Sequence, residues 1–432
     1  MEIAVIGSGM AGLAAARILK EAGHQVTVFE ALSGRGMDSH SIEFDGGMID
    51  APLRVMNPYL WKNTLSLATH LGIKTFPVRT FMACSWLFEE KTETWLTTSR
   101  SPIGNFPIIN NRKGLQQYGV RLVKGMLQLK TALHRFFKSK NQNITLSEFI
   151  NKNEIEEVFW NGAVMPVLYT ICTCNPETIG EWPAKPLLVF LSQLTKGNEL
   201  LRLQGGTPAF VNKLIEGITI HSGSAVTNVE LKDERVLVEN SAGTQQMFDH
   251  VIVATPTNKI EDFMNKSQFA EDLALLKQFR FEEGDLVIHT DPTVMPPQRK
   301  DWCVLSYMMD RKFTRQQFTV WMNAIEPSLV GKNPVFQTWR PVTPIDPKKV
   351  ISTVKLSRAV VNSQTVELNQ ELLRRQKVPG RKVYFCGSWS CDGLPILESA
   401  VTSAMQIAKN LGAPLPFVGL KPKSEIAPEL GY

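Results

Sequence analysis

Three glycines near the start of the chain are spaced for binding a pyrophosphate. The segment Gly7-Ser8-Gly9-Met10-Ala11-Gly12 directly follows an apolar run. Gly7 allows a tight turn, Gly9 lets a phosphate approach the backbone, and Gly12 lets a helix pack closely on a strand. A helix that begins at Met10 directs unpaired N–H groups and the positive end of its dipole at the phosphates. These residues indicate a dinucleotide-binding loop.

The residues around this loop predict a strand, a helix and a second strand. Ile3–Ile6 is an apolar strand, Met10–Ala22 a helix of small and apolar residues, and Val26–Phe29 a second strand. The second strand closes on Glu30. An acid at that place accepts hydrogen bonds from an adenosine ribose and repels a 2′-phosphate. The fingerprint alone leaves open whether the cofactor is a nicotinamide or a flavin.

The rest of the chain resolves this choice through an ordered set of motifs. They are Gly34-Arg35-Gly36, Phe44-Asp45-Gly46-Gly47, Tyr59, Leu71-Gly72-Ile73, Val226, Asp249–Pro256, Val383–Trp389 and Gly393–Val401. In this order they resemble the superfamily of FAD-dependent amine oxidases, phytoene desaturases and protoporphyrinogen oxidases over most of the chain. Asp285–Met295 and the Trp302 region resemble a little-characterised bacterial branch of that superfamily. Members of this branch also resemble the oxidase-like domain of plant cyclopropane fatty acid synthases.

The resemblance implies an α/β protein with two interleaved domains. A Rossmann-type FAD-binding domain is expected over 1–56, 200–260 and 370–415. A substrate-binding α+β domain, with a mixed or antiparallel sheet and helices, is expected over 57–199 and 261–369. The strand-like runs Leu286–His289, Phe318–Met322 and Val335–Trp339 suit that sheet. Residues 416–432 are expected to form a tail on the surface, because Pro414–Tyr432 has four prolines and no apolar period.

The resemblance also implies a set of FAD contacts. Arg35 is similar to an arginine that contacts the pyrophosphate in the family. Val226 is similar to a residue whose backbone contacts the adenine. Gly387 would lie beside the ribityl chain of the flavin. A helix that begins at Leu397 would direct its N-terminus at the flavin pyrimidine and stabilise negative charge there. The full set of expected FAD contacts is Gly7, Gly9, Met10, Ala11, Gly12, Glu30, Ala31, Arg35, Val226, Ala254, Gly387, Ser388 and Leu397.

Several positions depart from the family pattern. Met37 follows Gly36 where the family has a second glycine, so the family pattern fits Arg35 only with a shift of up to two residues. Ser388 and Trp389 replace the usual acid segment that binds the ribityl chain, and Ser399 replaces a glycine. These changes predict a looser flavin.

The chemistry that the resemblance implies requires few catalytic side chains, because the flavin N5 accepts the hydride. The protein supplies a dry pocket that is shaped for the substrate. Residues that we consider for the catalytic pocket are Tyr59, His289, Asp291, Trp339 and Trp389. His289 beside Asp291 suits a proton relay, although a hydrogen-bonded histidine within a strand is the commoner case. The two tryptophans suit a channel wall or ordinary core packing. No metal site is expected.

Three functions remain open at this point. The first is an FAD-dependent oxidoreductase that takes a hydride from a hydrophobic, lipid-like or isoprenoid-like substrate. The second is a flavin amine oxidase that releases hydrogen peroxide; amine oxidases usually keep a lysine near N5, and Lys300, Lys312 and Lys332 all lie in loop-like contexts. The third is an FAD-binding scaffold without turnover.

Charge clusters in one segment of the chain. Between Arg112 and Lys140 there are eight Lys or Arg and no acid, within a net charge of +6. An apolar stripe at helical spacing consists of Leu115, Tyr118, Leu122, Met126, Leu129, Leu133 and Phe136. Leu115–Lys140 therefore predicts a basic amphipathic helix that packs on the core or contacts an anionic membrane. Nucleic acid is not expected, because no recognition module accompanies the patch.

Cysteine use and the position of the first strand favour a cytoplasmic protein, peripheral at a membrane if the basic helix binds one. The six cysteines have neither zinc spacing nor an evident disulfide pattern. A cleaved signal peptide would remove the phosphate loop. The sequence indicates no oligomeric state.

Overall fold

The computed structural model describes residues 1–87, 93–100, 107–109, 111–194, 199–423 and 425. The strands, in chain order, are β1 (Glu2–Ile6), β2 (Gln25–Phe29), β3 (Ile42–Phe44), β4 (Gly47–Ile49), β5 (Thr75–Val78), β6 (Met82–Trp86), β7 (Thr94–Arg100), β8 (Pro107–Ile109), β9 (Leu200–Leu203), β10 (Thr219–His221), β11 (Val226–Lys232), β12 (Arg235–Asn240), β13 (Gln245–Phe248), β14 (His250–Val253), β15 (Phe281–His289), β16 (Leu305–Met309), β17 (Gln316–Trp321), β18 (Phe336–Trp339), β19 (Val350–Ala359) and β20 (Val383–Phe385). The α-helices are α1 (Met10–Glu21), α2 (Lys62–His70), α3 (Arg112–Lys138), α4 (Leu146–Asn153), α5 (Glu157–Phe159), α6 (Met165–Cys172), α7 (Pro176–Gly180), α8 (Ala184–Leu194), α9 (Gly206–Ile215), α10 (Ala270–Leu276), α11 (Ser363–Arg375) and α12 (Leu397–Asn410).

A parallel sheet with the order β10-β2-β1-β14-β20 forms the first layer. Both of its faces are covered, as expected for a Rossmann-type sheet. Alternate residues of β1 enter different cores: Ile3 and Val5 join the large core that contains α1 and α12. Ala4 and Ile6 join a smaller core under the three-stranded sheet β11-β12-β13.

A mixed eight-stranded sheet, in the order β19-β15-β18-β17-β16-β6-β7-β8, forms the second layer. Its strands come from 57–199 and 261–369, whereas the parallel sheet draws on 1–56, 200–260 and 370–415. The predicted α/β fold class is confirmed, and β15, β17 and β18 lie where the strand-like runs indicated. The domain boundaries themselves stay a prediction.

Pairing fixes which side chains share a face of the eight-stranded sheet. Trp339 lies opposite Phe318, which lies opposite Tyr307, so these three aromatic residues share one face. That face packs on α6, where the Tyr307 hydroxyl lies 2.6 Å from that of Thr170. The ring centroids of Phe318 and Tyr169 are 5.7 Å apart. The aromatic face is therefore enclosed between the sheet and α6.

The described part of the C-terminal segment packs on the body of the protein. Phe417 is buried in the large core. The Ser66 hydroxyl of α2 donates to the Leu420 carbonyl, and the Lys423 carbonyl accepts from the Thr75 amide. The described part of the expected surface tail is thus attached to the body of the protein as far as Glu425, through the Phe417 side chain and through hydrogen bonds to its backbone.

A membrane crossing needs a long apolar helix. Over the described residues no helix combines that length with that apolar character.

Candidate functional site

Four predicted contacts follow the ends of four adjacent parallel strands. Gly7 follows β1, Glu30 follows β2, Ala254 follows β14, and Cys386 with Gly387 follows β20. The last residues of these strands are level with one another in the sheet. Because the strands are parallel, their carboxyl ends share one edge, which is where open α/β sheets bind ligands. The structure therefore brings the two ends of the chain together.

The glycines of the first loop serve different purposes. A Cβ added at Gly12 would lie 2.0 Å from the Gly7 carbonyl oxygen, so only glycine allows this contact between α1 and the loop. A Cβ at Gly9 would meet nothing within 4 Å. Gly9 is the N-cap of α1 and supplies no side-chain hydrogen bond, and Met10 and Ala11 begin the helix. The open space therefore lies directly before unpaired helix N–H groups, which suits a pyrophosphate.

Glu30 is buried beside this loop. Its carboxylate accepts from the Ser8 amide at 2.8 Å, the Ser8 hydroxyl at 2.6 Å and the Leu32 amide at 2.9 Å. A carboxylate has about four lone-pair positions, so Glu30 retains capacity for a ribose hydroxyl. Ala31, next to it, is exposed.

The segment before β11 reaches the same place. The Ser224 amide donates to the Glu30 carbonyl at 2.8 Å, two residues before Val226. The Ser224 hydroxyl is buried and has no partner, and the same holds for Thr255 Oγ1 directly after Ala254. Buried hydroxyls normally find partners. Two orphan hydroxyls at the strand edge fit a bound polar ligand, and with the open space at Gly9 they show that the adenosine and pyrophosphate end suits FAD.

The opposite end of the edge is formed by β20 and α12. The N-cap of α12 is Ile396, which gives no side-chain hydrogen bond, and Leu397 is half-buried. The only acid in its first turn, Glu398, turns away and accepts from the Thr64 amide of α2 at 2.9 Å. The uncapped α12 N-terminus therefore remains a positive dipole end, which would favour negative charge on a group bound there.

The departures from the family pattern have structural consequences here. The Gly387 amide donates to the hydroxyls of Ser390 at 3.0 Å and Ser403 at 3.1 Å. Half-buried Ser388 opens a short 3-10 turn directly after it. Two internal hydroxyls thus hold the glycine amide of this segment.

Arg35 and Arg54 lie beside the phosphate loop. Arg35 pairs with Asp38 and Asn212. Arg54, which sequence reasoning missed, donates to the Met37 carbonyl at 3.2 Å and to the Thr207 hydroxyl at 2.8 Å. Burial lowers the pKa of Arg54, while the nearby Asp50 and Asp38 oppose that shift. Arg54 therefore holds the Met37 segment in place with its charge retained.

A buried ion cluster joins the two layers below this point. The Arg202 guanidinium of β9 lies 3.2 Å from Asp50 and 2.7 Å from Glu326, and only 1% of its side chain is exposed. Asp50 also accepts from the Thr207 amide at 3.0 Å. These hydrogen bonds provide partners for both carboxylates. The cluster therefore holds β9, α9 and the segment before α2 in fixed positions relative to one another.

His289 and Asp291 lie on the other face of the eight-stranded sheet. His289 shares its face with Thr338 and not with Trp339, because neighbouring strand residues point to opposite faces. The His289 Nε2 lies 2.8 Å from the Thr338 hydroxyl, and its Nδ1 accepts from the Asp291 amide. Burial lowers the pKa of His289 to about 4, so the ring is neutral. Asp291 pairs with Lys349 at 3.2 Å. The structure does not bring the proposed relay to the aromatic face.

The remaining catalytic candidates are dispersed. Trp339 is buried on the aromatic face. Trp389 belongs to the smaller core, where its ring centroid lies 4.9 Å from that of Phe279 and its Nε1 donates to the Thr255 carbonyl. Tyr59 is 55% exposed. Of these three candidates, Trp339 alone lies on the aromatic face of the eight-stranded sheet.

Arg358 is a second cation that the sequence did not reveal. Arg358 lies near the end of β19, and its guanidinium donates to the Thr173 hydroxyl and to the Pro395 carbonyl, both at 2.8 Å. Pro395 immediately precedes the N-terminal end of α12. No ion pair to Arg358 is found within the described ranges, and burial lowers its pKa. Its charge adds to the positive dipole end of that helix.

The comparisons with known proteins agree with this geometry. A family described as flavin containing amine oxidoreductase matches residues 10–283. The chain belongs to this family. Family membership makes FAD the cofactor, which the strand edge described above accommodates, and no cluster of three or more metal-ligating side chains occurs where the structure is described.

Individual members of the flavin containing amine oxidoreductases resemble the chain only in part. A 4,4'-diapophytoene desaturase of Staphylococcus aureus (strain bovine RF122 / ET3-1) is 40% identical over 68 residues, 16% of this chain and 14% of the relative. A flavin-dependent L-tryptophan oxidase of Lentzea aerocolonigenes is 23% identical over 301 residues, 65% of this chain and 63% of the relative. The matches thus span less than two thirds of these relatives.

Solved structures share the fold over nearly the whole chain. An oxidoreductase from Methanosarcina mazei has a TM-score of 0.65 at 13% identity, covering 95% of this chain and 100% of its own. A putrescine oxidase variant has a TM-score of 0.65 at 11% identity, covering 96% and 99%. At these identities the likeness concerns the fold alone. The resemblance to cyclopropane synthase domains stays a prediction.

Proposed function

We propose that the protein is an FAD-dependent oxidoreductase that takes a hydride from a hydrophobic, lipid-like or isoprenoid-like substrate. The observation that carries this proposal is the position of the aromatic face. Gln337 shares the face of Trp339, and its side chain accepts from the Leu53 amide at 3.1 Å and donates to the Asp50 carbonyl. The aromatic face therefore lies next to the segment from Asp50 to Leu53, which Gln337 contacts.

In this proposal the residues of the protein hold the cofactor, orient the substrate and exclude water from the site. Glu30 and the α1 N-terminus hold the adenosine and pyrophosphate, while the α12 N-terminus and Arg358 favour negative charge at the other end. When bound, FAD supplies the hydride acceptor at N5. Trp339, with the aromatic residues beside it, orients an apolar substrate and keeps water out. This division of tasks requires no acid or base from His289.

Amine oxidation is the second candidate, and Arg358 favours it. The Arg358 guanidinium, which has no ion pair within the described ranges and lies on the same sheet as the aromatic face, suits a substrate that carries a carboxylate, since Arg binds carboxylates in a bidentate manner. The partial likeness to an L-tryptophan oxidase points in the same direction. Such a reaction would release hydrogen peroxide when oxygen reoxidises the flavin.

Anaerobic flavin reduction distinguishes the candidates. The purified protein is mixed with lipid-like and isoprenoid-like compounds, or with amines and amino acids, and flavin absorbance at about 450 nm is followed. Bleaching by an apolar compound supports the proposal. Bleaching by amines, with peroxide on admission of air, supports the second candidate. A protein that carries FAD and is bleached by neither panel is a scaffold, and that result contradicts both.

A matched pair of variants tests the wall itself. We expect Trp339→Phe, which keeps an aromatic surface, to preserve the reduction rate better than Trp339→Gln. Thr353→Gln on β19 is the control, because Thr353 is exposed on the same sheet. Equal rates for all three proteins would contradict a substrate at this wall.

We also propose a cytoplasmic location. The six cysteines are free, and burial raises the pKa of Cys174 and of Cys303 to about 12. Unreactive reduced thiols suit a reducing compartment. Separation of cell fractions, followed by detection of the protein, tests this location; recovery from an extracytoplasmic fraction would contradict it.

A further inference from the structure

Helix α3 is attached to the protein along one side only. Its buried residues are Gly114, Tyr118, Leu122, Gly125, Leu129, Ala132 and Phe136. A Cβ at Gly125 would lie 2.3 Å from the Phe159 side chain, so that side is in tight contact with α5. The Tyr118 and Trp95 rings are 5.2 Å apart. The helix is therefore a fixed part of the fold.

The expected apolar stripe is only partly the buried one. Tyr118, Leu122, Leu129 and Phe136 are buried and Leu133 is half-buried, but Leu115 and Met126 are exposed. The reason is that Gly114, Gly125 and Ala132 turn a small-residue side of the helix into the core. Sequence periodicity thus placed the boundary of the stripe wrongly.

A second apolar surface faces away from the core, and we call it the α3 ridge. It consists of Leu115 (43% exposed), Val120 (84%), Val123 (52%), Met126 (53%), Leu127 (56%) and Phe137 (38%). At about 100° per residue these six positions fall within an arc of about 140°, which begins about 20° beyond Leu122 at the edge of the buried side. Several large apolar side chains exposed on one surface are typical of an interaction site.

Within α3 (Arg112–Lys138), cations accompany the ridge and there is no acidic residue. Arg112 and Lys130 lie within its arc, and Lys113, Lys124, Arg135 and Lys138 lie along one border. All six are exposed. Arg121, on the far side of that border, pairs with Glu156 and is thereby neutralised. The ridge and its border therefore present apolar side chains and uncompensated positive charge in one direction.

We propose that the α3 ridge docks the protein on an anionic membrane surface, with its apolar side chains in the headgroup boundary and its cations on the lipid phosphates. An interfacial helix has this combination of an apolar face and Lys or Arg beside it. The fixed attachment of α3 to the core makes the docking a property of the folded protein. This inference is independent of the substrate proposed above.

Charge decides between a membrane and a second copy of this chain. A second copy of this chain would bring the same cations against one another, because a twofold interface places each patch on itself. An anionic bilayer instead matches both parts of the ridge at once. We therefore expect reversible binding that weakens as salt rises, since the screening length is about 8 Å at physiological ionic strength.

Vesicle co-sedimentation of the flavin-loaded full chain tests the proposal. The vesicles are phosphatidylcholine alone or phosphatidylcholine with phosphatidylserine. The charge variant is K124Q/K130Q/R135Q/K138Q, and the ridge variant is V120Q/V123Q/L127Q, which keeps helix-forming residues. The control variant K232Q/K259Q/K355Q/K409Q removes the same charge from exposed positions elsewhere. Flavin absorbance and thermal unfolding confirm that every variant is folded.

We expect wild type and the control variant to bind the anionic vesicles alike and phosphatidylcholine weakly. The charge variant should lose about a hundredfold or more in partitioning, because each basic residue near an anionic surface contributes about fivefold. The ridge variant should lose binding at physiological salt. Equal binding by all four proteins would overturn the proposal. So would a wild-type dimer that the ridge variant abolishes, with no vesicle binding, since that would make a second copy the occupant.

Discussion

Gly9 and Gly12 differ by three positions, yet we expect their substitution to damage the protein in opposite ways. Gly9 has φ −67° and ψ 177°, an extended conformation open to any residue, and its Cβ position meets nothing within 4 Å. Gly9→Val should therefore leave the apoprotein folded, at a cost of up to about 1 kcal/mol for an apolar N-cap. Its side chain would fill the space before the α1 N-terminus.

The magnitude for FAD follows from the contacts that are lost. Two N–H groups of α1 that bind a pyrophosphate contribute about 1.5–3 kcal/mol each as charge-assisted hydrogen bonds. Losing both costs about 3–6 kcal/mol, which weakens FAD by about 10²-fold to 10⁴-fold. In Gly12→Ala the added Cβ stands 2.0 Å from the Gly7 oxygen, so α1 must shift. Such overpacking costs about 1–3 kcal/mol of folding free energy or more.

Two measurements separate these effects. Fluorescence titration of the apoprotein with FAD gives the affinity. Urea unfolding of the same apoprotein gives stability without the contribution that a bound ligand adds. We expect Gly9→Val to change chiefly the first quantity and Gly12→Ala chiefly the second. Wild-type FAD affinity in Gly9→Val would refute the assignment of this loop, and wild-type stability in Gly12→Ala would refute the close contact.

Three further predictions concern single side chains. Glu30→Ala should weaken FAD by about 1–3 kcal/mol, measured by the same titration; an unchanged affinity would move the ribose contact elsewhere. His289 is neutral when folded, with a pKa lowered to about 4 by burial, whereas an unfolded histidine binds a proton near 6.5. The free energy of unfolding should therefore fall by up to about 3 kcal/mol as pH drops from 6.5 to 4. His289→Gln should remove this dependence and leave the pH profile of flavin reduction unchanged. A flavin-reduction profile that shifts in His289→Gln would restore the proton relay. Trp389→Ala should cost about 3–5 kcal/mol in urea unfolding and change the flavin reduction rate little, because the ring packs on Phe279 in the core; a slower reduction with unchanged stability would return Trp389 to the flavin.

Local patterns were sufficient for the phosphate loop. The helix expected at Met10–Ala22 is α1 (Met10–Glu21), and the strand expected at Val26–Phe29 is β2 (Gln25–Phe29). The signal is strong because the glycines, the apolar runs and Glu30 all lie within one short βαβ unit. For the same reason the family resemblance could be found at the sequence level.

Residues whose roles depend on distant partners were missed. Arg202 meets Asp50 and Glu326 only after β9 has joined the rest of the chain, and nothing near Arg202 in the sequence marks it. The core in which Trp389 packs could not be predicted for another reason. In a parallel strand both faces are buried, so the apolar run Val383–Phe385 does not reveal which core receives the residues that follow.

The parallel sheet has a consequence for the order in which the protein can be completed. β1 pairs with β14, and β14 pairs with β20, so the edge strand enters last, after Val383 has been synthesised. Such long-range pairing gives a high contact order and slow folding. During translation the phosphate loop emerges more than 350 residues before Val383–Phe385, so its partners at the strand edge do not exist until that segment has been synthesised. The nascent chain therefore exposes an unfinished sheet edge, and the four-strand edge described for the candidate site is complete only once β20 has paired with β14.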